Sequence, residues 1–398
     1  MYFHIKNLKY FLFILLGVLL FTFPRHFQII KTIILFLLFV IGGLEIRNKV
    51  KISNYVIIWF TFYLFFAFIW SIYGIINKNP GVIDVFRVEF VWTLVLFFFT
   101  LFVSIDKETI IKMIYGSSFI SSIIGLYMIL QPVIGNIWFL NWIPFEPVRN
   151  INGLIRTSLP NIAFMSFLFP VLLFLKSPSK KHCKIFYHFT LILSFLFILF
   201  AGRRAIQITA SFFLIIFLFQ NIPKLNLQLI GYVLFFLVIF YFIQKNLFHF
   251  IDFGLYYDMY INKLLENLTQ EKRYIQMIEL LKHFTKHPIF GVGFGKGIPT
   301  HIANPEKPWR YELTYFLYLY QTGIVGISLF FGLFISLFIK LRKLDSVGKA
   351  LSMGLFGYLM ASSTNSYLIS GFDYKFPVLV CLVYISYNKL HHKQFNNE

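Results

Sequence analysis

Charged residues are scarce in this chain, and acidic ones are the scarcest. Only 13% of the 398 residues are charged and 58% are hydrophobic, whereas a soluble domain carries about 25% charged residues. This composition excludes a soluble globular protein and predicts an all-α, polytopic membrane protein. Cysteine is almost absent. Cys183 and Cys381 are too far apart in sequence for a disulfide framework or a metal-ligand motif, so we expect no metal.

The imbalance between 36 basic and 16 acidic residues gives a net charge of +20. In a soluble protein such an excess would indicate nucleic acid. In a membrane protein it is explained first by the Lys and Arg residues that orient the helices, so we expect the lipid bilayer, and no nucleic acid, as a partner. The first apolar run follows MYFHIKNLKY and lacks a clear small-residue cleavage site, which predicts a retained first helix.

Apolar segments close to the ~20 residues that a membrane-spanning helix needs recur along the whole chain. They predict about twelve helices in a single transmembrane domain, 1–398. Their approximate limits are 9–23, 27–43, 53–76, 88–105, 110–133, 160–175, 185–201, 205–220, 226–243, 312–339, 349–367 and 376–389.

Lys and Arg concentrate in the connections on the side that holds both termini, which predicts cytoplasmic termini by the positive-inside rule. Residues 244–311 then form one large external (periplasmic) loop. Its first part, Tyr256–Lys286, has apolar residues at helical spacing, and His287-Pro288 is expected to end that helix. We expect this polar loop to contain part of the active site.

The basic residues differ in kind between the two predicted sides, because Lys predominates inside and most arginines lie outside. Arg is preferred where a planar fork binds phosphate or carboxylate, so this bias indicates an outer surface for an anionic ligand. The alternative explanation for this bias is that the outer arginines lie at the membrane interface and extend their charged ends toward water. Arg203 and Arg204 join two apolar spans with no acidic neighbour in sequence. A diphosphate would suit two adjacent guanidinium groups, and lipid headgroups are the alternative.

Alternate glycines mark the stretch GVGFGKG, at Gly291, Gly293 and Gly295. The stretch lacks the Lys-Ser/Thr ending of a phosphate-binding P-loop and does not follow a strand, as a dinucleotide site would. Glycines at this spacing allow positive φ angles and close backbone approach. The stretch therefore either surrounds a ligand with backbone amides or serves as a plain linker.

Two titratable side chains follow this stretch. Glu312 lies where the polar loop enters an apolar span, and a carboxylate there can act as a general base. His301 is the second candidate base. Arg310 lies two residues before Glu312, and Arg273 lies on the predicted loop helix, so both extend the set of outer arginines.

Several of these elements occur in an order and spacing that resemble the O-antigen ligase and polymerase superfamily. The resemblance covers roughly residues 150–380, and its last motif has Ser366 where the superfamily usually has Pro. The motifs are Arg156 followed by Pro160-Asn161 before a span, Gly202-Arg203-Arg204 between two spans, Arg273 on a loop helix, PIFGVGFG at 288–295, Gly323-Ile324-Val325-Gly326 in the next span, and Thr364-Asn365-Ser366-Tyr367-Leu368.

This resemblance implies an enzyme that acts on polyprenyl-diphosphate-linked glycans at the outer face of the bacterial cytoplasmic (inner) membrane, without metal, cofactor or nucleotide sugar. It implies that Arg203 or Arg204, together with Arg273, binds the diphosphate leaving group. It places Arg156 and Asn161 among the substrate-binding residues. We also expect Arg310, as one of the outer arginines, and the three alternate glycines, through their backbone amides, to bind substrate.

Ligases of the superfamily commonly show His-Asn or His-Ser just before the glycine-containing span, where this chain has Glu312-Leu313. This departure favours a polymerase of O-antigen or related repeat units, an inverting glycosyltransferase for which a chain-length regulator is a candidate partner. The alternatives are a ligase that transfers glycan to lipid A core or another acceptor, and a lipid-oligosaccharide flippase or transporter.

Overall fold

The computed structural model describes residues 2–46, 53–134, 149–151, 154–156, 159–201, 203–221, 272–299, 305–368 and 371–395. Within these ranges the chain is helical apart from turns and one short antiparallel hairpin, β1 (Arg149–Ile151) and β2 (Leu154–Arg156). The helices are α1 (Tyr2–Thr22), α2 (Gln28–Ile46), α3 (Asn54–Ile76), α4 (Val82–Phe86), α5 (Trp92–Phe102), α6 (Lys107–Ile134), α7 (Ile162–Phe174), α8 (Lys181–Phe200), α9 (Arg204–Asn221), α10 (Lys272–Phe284), α11 (Thr314–Arg342), α12 (Ser346–Ser362) and α13 (Phe376–Phe395). A π-helical segment, Arg87–Val91, joins α4 to α5, and a 3₁₀ turn, Asp373–Lys375, precedes α13.

Seven helical stretches among the described residues are long and apolar enough to cross a membrane, which supports the predicted α-helical membrane class. The prediction of twelve spans is not confirmed. Helices α7 and α9 are shorter apolar helices, α12 and α13 are not among the candidate spans, and the segment predicted at 226–243 lies outside the described residues. The seven stretches are Ile5–Thr22, Gln28–Glu45, Asn54–Ile76, Val82–Phe102, Lys107–Gln131, Lys181–Phe200 and Thr314–Arg342.

Helix α7 shows why hydropathy alone does not determine the number of membrane-spanning helices. Its 13 residues extend about 20 Å at 1.5 Å per residue, whereas the hydrocarbon core is about 30 Å thick. Every residue from Ile162 to Leu173 is buried, and α6, α8, α9 and α12 pack around the helix. A helix that is apolar on all sides is buried within protein, so the apolar run predicted at 160–175 forms the centre of the bundle.

Helices α2 and α3 have the opposite character, because each presents large apolar side chains to the outside. Ile29, Phe36, Phe62 and Phe65 are all more than half exposed. Soluble monomers rarely expose continuous apolar surface of this kind. These faces therefore suit contact with lipid chains.

The two ends of the bundle carry polar contacts between distant segments. At one end, Lys9 contacts Glu45 at 2.6 Å. At the other end, Lys307 contacts Asp84 at 3.2 Å, and the turn at Arg25, between α1 and α2, contacts the 3₁₀ turn. We call this second end the cavity end, because the two cavities described below open there.

Helix α11 is interrupted at Gly323, where φ is 67° and ψ is −172°. The glycine-rich segment packs against this interruption, and the N–H of Ile324 donates to the carbonyl oxygen of Pro288 at 2.8 Å. A Cβ atom on Gly323 would lie 2.2 Å from the carbonyl oxygen of Ile289. Glycine is therefore required both for the positive φ and for the close approach of the two backbones.

The external loop predicted at 244–311 is described only in part. Its helix appears as α10, which ends three residues before the predicted stop at His287-Pro288. Helix α10 packs against the start of α11, where the side chain of Gln276 accepts a hydrogen bond from the N–H of Leu313 at 3.1 Å. This contact places the first half of α10 beside Leu313 and therefore close to Glu312, the residue before it.

Candidate active site

Two adjoining cavities open at the cavity end of the bundle, and Arg25 lines both of them. The small cavity has a volume of about 190 Å³ and is lined by Arg25, Leu159, Pro160, Ile162, Ala163, Arg203, Glu312, Asn365, Ser366, Tyr367 and Tyr374. The large cavity has a volume of about 440 Å³ and is lined by Arg25, Asp84, Val85, Arg87, Val88, Glu89, Trp92, Lys307, Trp309, Arg310, Leu317, Tyr318, Gln321 and Gly371.

The small cavity brings together three residues that the sequence predicts for catalysis. Arg203 and Glu312 both line it, and Arg273 Nε donates to Glu312 Oε2 at 2.6 Å. The Arg273 and Glu312 side chains are 40% and 58% exposed, so this pair remains accessible to an incoming ligand. The base and the leaving-group arginine of the predicted site are therefore in direct contact with each other.

An aromatic stack forms one side of the small cavity. The rings of Tyr367 and Tyr374 lie nearly parallel, with centroids 5.9 Å apart, and Phe164 stacks on Tyr374 at 5.3 Å. The guanidinium of Arg25 lies 5.5 Å from the centroid of the Tyr374 ring. A cation over an aromatic face is held by the ring quadrupole, so the stack positions Arg25 at the cavity.

The backbone of Arg25 is also fixed in an unusual conformation. Its φ angle is 70°, which costs energy for a residue other than glycine. Its N–H donates to Asp373 Oδ2 at 2.9 Å, and Lys31 Nζ contacts Asp373 Oδ1 at 3.0 Å. Arg25 was not singled out from the sequence, because neither Asp373 nor the tyrosine stack is close to it in sequence.

The large cavity is lined by both charged and apolar side chains. Asp84 lies between Lys307 and Arg87, with N–O distances of 3.2 Å and 3.4 Å. Burial, together with the like charge of Arg25, lowers the pKa of the Arg310 guanidinium. Arg310, which the sequence predicts for substrate binding, therefore belongs to the large cavity and not to the cavity of Glu312.

A buried ionic network lies beneath the large cavity and was missed in the sequence. Glu89, in the π-helical segment, has no exposed surface. Its Oε2 contacts Lys375 Nζ at 2.8 Å and accepts from the Tyr63 hydroxyl at 2.6 Å, while its Oε1 accepts from the Tyr318 hydroxyl at 2.9 Å. Hydropathy included Glu89 in a predicted span, and nothing in the local sequence indicated its partner Lys375, which lies 286 positions later in the chain.

The alternate glycines have the positive φ angles that their spacing predicts, at 70°, 83° and 79° for Gly291, Gly293 and Gly295. The N–H of Gly293 donates to the carbonyl of Gln321 at 2.8 Å, and the carbonyl of Gly295 accepts from Gly81 at 3.0 Å. These contacts explain the glycines through packing against α3, α4 and α11. Their predicted role in binding substrate remains a prediction.

The other predicted residues are not among those that line the small cavity, or they lie outside the described part of the chain. Asn161 is fully buried, and its amide nitrogen donates to the carbonyl of Ser121 at 3.3 Å. Arg204 begins α9, directly after Arg203. Arg156 ends β2, and only its backbone is described. His301 lies outside the described residues.

The small cavity has the groups for transfer to a hydroxyl with loss of an anionic leaving group. Guanidinium groups stabilise developing negative charge when they are fixed before the reaction, and a carboxylate within reach can accept a proton. Among the residues that the structure describes, no three His, Cys, Asp or Glu side chains form a group that could hold a metal ion.

No family model matches this chain, and no curated protein matches it significantly in sequence. The resemblance to the O-antigen ligase and polymerase superfamily therefore depends on the motifs quoted above. Three of them contribute residues to the lining of the small cavity although they lie far apart in sequence, namely Pro160, Arg203 and the Asn365-Ser366-Tyr367 segment.

Proposed function

We propose that this chain is a polymerase of polyprenyl-diphosphate-linked oligosaccharide repeat units, active at the outer face of the bacterial cytoplasmic membrane. The observation that carries the proposal is the meeting of Arg25, Arg203 and the Arg273–Glu312 pair at one cavity. These residues come from distant parts of the chain. Their convergence at one end of a bundle of apolar helices is what a lipid-linked anionic substrate requires.

In the proposed reaction, a hydroxyl of one lipid-linked unit attacks the anomeric carbon of another. The new glycosidic bond forms as the bond from that carbon to the diphosphate oxygen breaks, which inverts the anomeric centre. Glu312 accepts the hydroxyl proton, and the electron pair of the broken bond stays on the diphosphate. Arg203 and Arg25 stabilise that charge, and one such donor typically contributes about 2.7–4 kcal/mol.

Arg273 has two anionic partners in this scheme. In the structure its guanidinium holds the Glu312 carboxylate, and this contact fixes the base at the mouth of the small cavity. Guanidinium has five N–H donors in a planar fork, so Arg273 can keep Glu312 and also donate to a diphosphate oxygen. Arg273 thereby links the position of the base to that of the leaving group.

A lipid-oligosaccharide transporter is the second candidate, and the buried ionisable residues support it. Ionisable side chains inside a membrane domain often mark transport pathways. Here Glu89 contacts Lys375, and Lys31 contacts Asp373. Each of these buried charges therefore has a partner within the protein, and such pairs also serve to hold helices together. We place the polymerase first, since the arginines and Glu312 are at an accessible cavity.

The test uses purified protein in phosphatidylcholine liposomes with a lipid-diphosphate-linked repeat unit on the accessible face. We expect Arg203→Ala to lower the polymerisation rate by about 10²–10³-fold, and Arg203→Lys to be impaired as well, because an ammonium cannot form the bidentate fork. Arg342→Ala, which replaces an exposed arginine at the opposite end of α11, is the matched control and should have no effect.

The products separate the three candidates. A polymerase lengthens the glycan on the lipid carrier, whereas a ligase consumes polymer only when lipid A core or another acceptor is added. A transporter moves the unit between leaflets and leaves its length unchanged. Polymer of normal length from the Arg203→Ala protein at the wild-type rate would show that this cavity is not the active site.

A further inference from the structure

The large cavity takes no part in the bond-breaking step proposed above, although it adjoins the small cavity through Arg25. Its volume of about 440 Å³ lies within the range of about 300–1,000 Å³ that is typical of small-molecule sites. Aromatic, cationic and amide side chains converge on it. A cavity of this size and lining, beside a site for glycosyl transfer, suits a ligand of its own.

The charge of the large cavity is strongly positive. Its two carboxylates are already matched, because Asp84 contacts Lys307 and Arg87, and Glu89 contacts Lys375 from outside the cavity lining. Against these two carboxylates, the described part of the lining has four basic side chains. These are Arg25, Arg87, Lys307 and Arg310. This excess of basic over acidic side chains favours an anionic ligand.

Arg25 and Arg310 both line the large cavity. Two guanidinium groups that line one partly buried cavity repel each other, and an anion bound between them turns that repulsion into attraction. Guanidinium forks match the paired oxygens of a carboxylate or a phosphate. The anionic group of the ligand is therefore expected between these two arginines.

Two indole rings form part of the apolar surface of the large cavity. Trp309 lies directly against the backbone before α4, since a Cβ atom on Gly81 would be 2.1 Å from its Cδ2 atom. Trp92 is held by Phe372, with ring centroids 5.1 Å apart. Fixed aromatic rings offer flat apolar surface next to polar groups, and this combination suits the face of a sugar ring with its hydroxyls.

We propose that the large cavity binds an acidic sugar of the glycan, with its carboxylate or phosphate substituent between Arg25 and Arg310 and its ring against Trp309. This inference rests on the proposed polymerase function and deepens it, because it identifies the glycan as one whose repeat unit carries negative charge. Arg25 lies between the two cavities, so the acidic sugar is bound next to the reacting carbon.

The test measures equilibrium binding to the full chain in phosphatidylcholine nanodiscs, without a lipid-linked substrate and without turnover. The probes are methyl β-D-glucuronide, glucose 6-phosphate, neutral methyl β-D-glucoside and inorganic pyrophosphate. We expect at least one of the two anionic sugars to bind about tenfold or more tightly than the glucoside. The comparison between glucuronide and glucose 6-phosphate identifies whether the charge is a carboxylate or a phosphate.

Three variants locate the binding. Arg310→Ala should weaken the anionic sugar about 10- to 100-fold, as expected for the loss of a charge-assisted hydrogen bond, and Arg310→Lys should weaken it less. Arg342→Ala is the matched control, and Arg203→Ala should not change this affinity because Arg203 lines only the small cavity. If the Arg310→Ala protein does not fold, Arg310→Lys alone still distinguishes a fork from a point charge.

The proposal is overturned if glucuronide, glucose 6-phosphate and glucoside bind with equal affinity. It is also overturned if the anionic sugar binds the Arg310→Ala and Arg310→Lys proteins as tightly as it binds the wild type. Displacement of the bound sugar by pyrophosphate in wild-type and Arg203→Ala protein alike would identify the large cavity as a diphosphate site instead. Failure of the polymerase proposal appears separately, as retained polymerisation in the Arg203→Ala protein, because the binding measurement needs no turnover.

Discussion

The substitution Glu312→Gln separates the chemical role of this carboxylate from its structural role. The Arg273 and Glu312 side chains are 40% and 58% exposed, and exposed ion pairs contribute about 0–1 kcal/mol to stability. Loss of a general base lowers the rate about 10²–10⁴-fold, and even the lower figure corresponds to about 2.7 kcal/mol in the barrier at about 1.36 kcal/mol per tenfold. The expected activity loss therefore exceeds any effect that runs through stability.

The kinetic constants should divide in a particular way. The substituted amide would keep the shape of the side chain but could not accept the proton, so kcat should fall by at least about 100-fold. Arg273 has enough N–H donors to contact the side chain at position 312 and the diphosphate together, so the substitution leaves its diphosphate contact in place and KM should not rise. The assay is polymerisation of a lipid-linked repeat unit by purified protein, with thermal unfolding followed on the same sample.

Glu108→Gln is the matched control, because Glu108 is an exposed glutamate paired with Lys112 at 2.9 Å near the opposite end of the bundle. It should leave both kinetic constants unchanged. A raised KM with unchanged kcat in the Glu312→Gln protein would show that Glu312 binds substrate and does not accept the proton. A wild-type rate would remove Glu312 from the mechanism altogether.

Two further predictions concern the framework of the site. Glu89→Gln should destabilise the protein by about 3–5 kcal/mol, since it leaves Lys375 buried without its charged partner. In detergent unfolding experiments, the double replacement Glu89→Met with Lys375→Met should recover most of that loss. Additive losses in stability from the two replacements would contradict the pairing. Gly295→Ala should destabilise the protein and lower the polymerisation rate, because the added Cβ would lie 2.1 Å from the backbone nitrogen of Val82. Gly43→Ala, where a Cβ has open space, is the control and should change neither stability nor rate. Equal melting temperatures for the two variants would refute this explanation.

Local features of the sequence predicted local features of the structure. Runs of apolar residues predicted the membrane class, because lipid selects for apolar side chains along a continuous stretch. The spacing of Gly291, Gly293 and Gly295 predicted positive φ angles, which the backbone shows. Hydropathy did not distinguish a helix buried in protein, such as α7, from a helix in contact with lipid. It also predicted α11 as one continuous span, although the helical backbone geometry is interrupted at Gly323.

The candidate site was predictable only in part, because its contacts join segments that are distant in sequence. Arg203, Arg273 and Glu312 were identified by residue type and by resemblance, and two of them line the small cavity. Arg25 and Glu89 were missed, since each acquires its significance from a partner several hundred residues away. A side chain that is ordinary in its local sequence becomes functional when the fold supplies its neighbours.

The 3₁₀ turn at Asp373–Lys375 shows how much a three-residue segment can organise. A 3₁₀ helix has about three residues per turn, so successive side chains point in directions about 120° apart. Asp373 accepts from the backbone of Arg25, Tyr374 stacks in the small cavity beside the Arg25 guanidinium, and Lys375 pairs with Glu89 beneath the large cavity. Three consecutive residues therefore fix the one arginine that the two cavities share and the buried charge below it. Because the same turn supports both cavities, a change in its geometry would alter the diphosphate site and the proposed sugar site together.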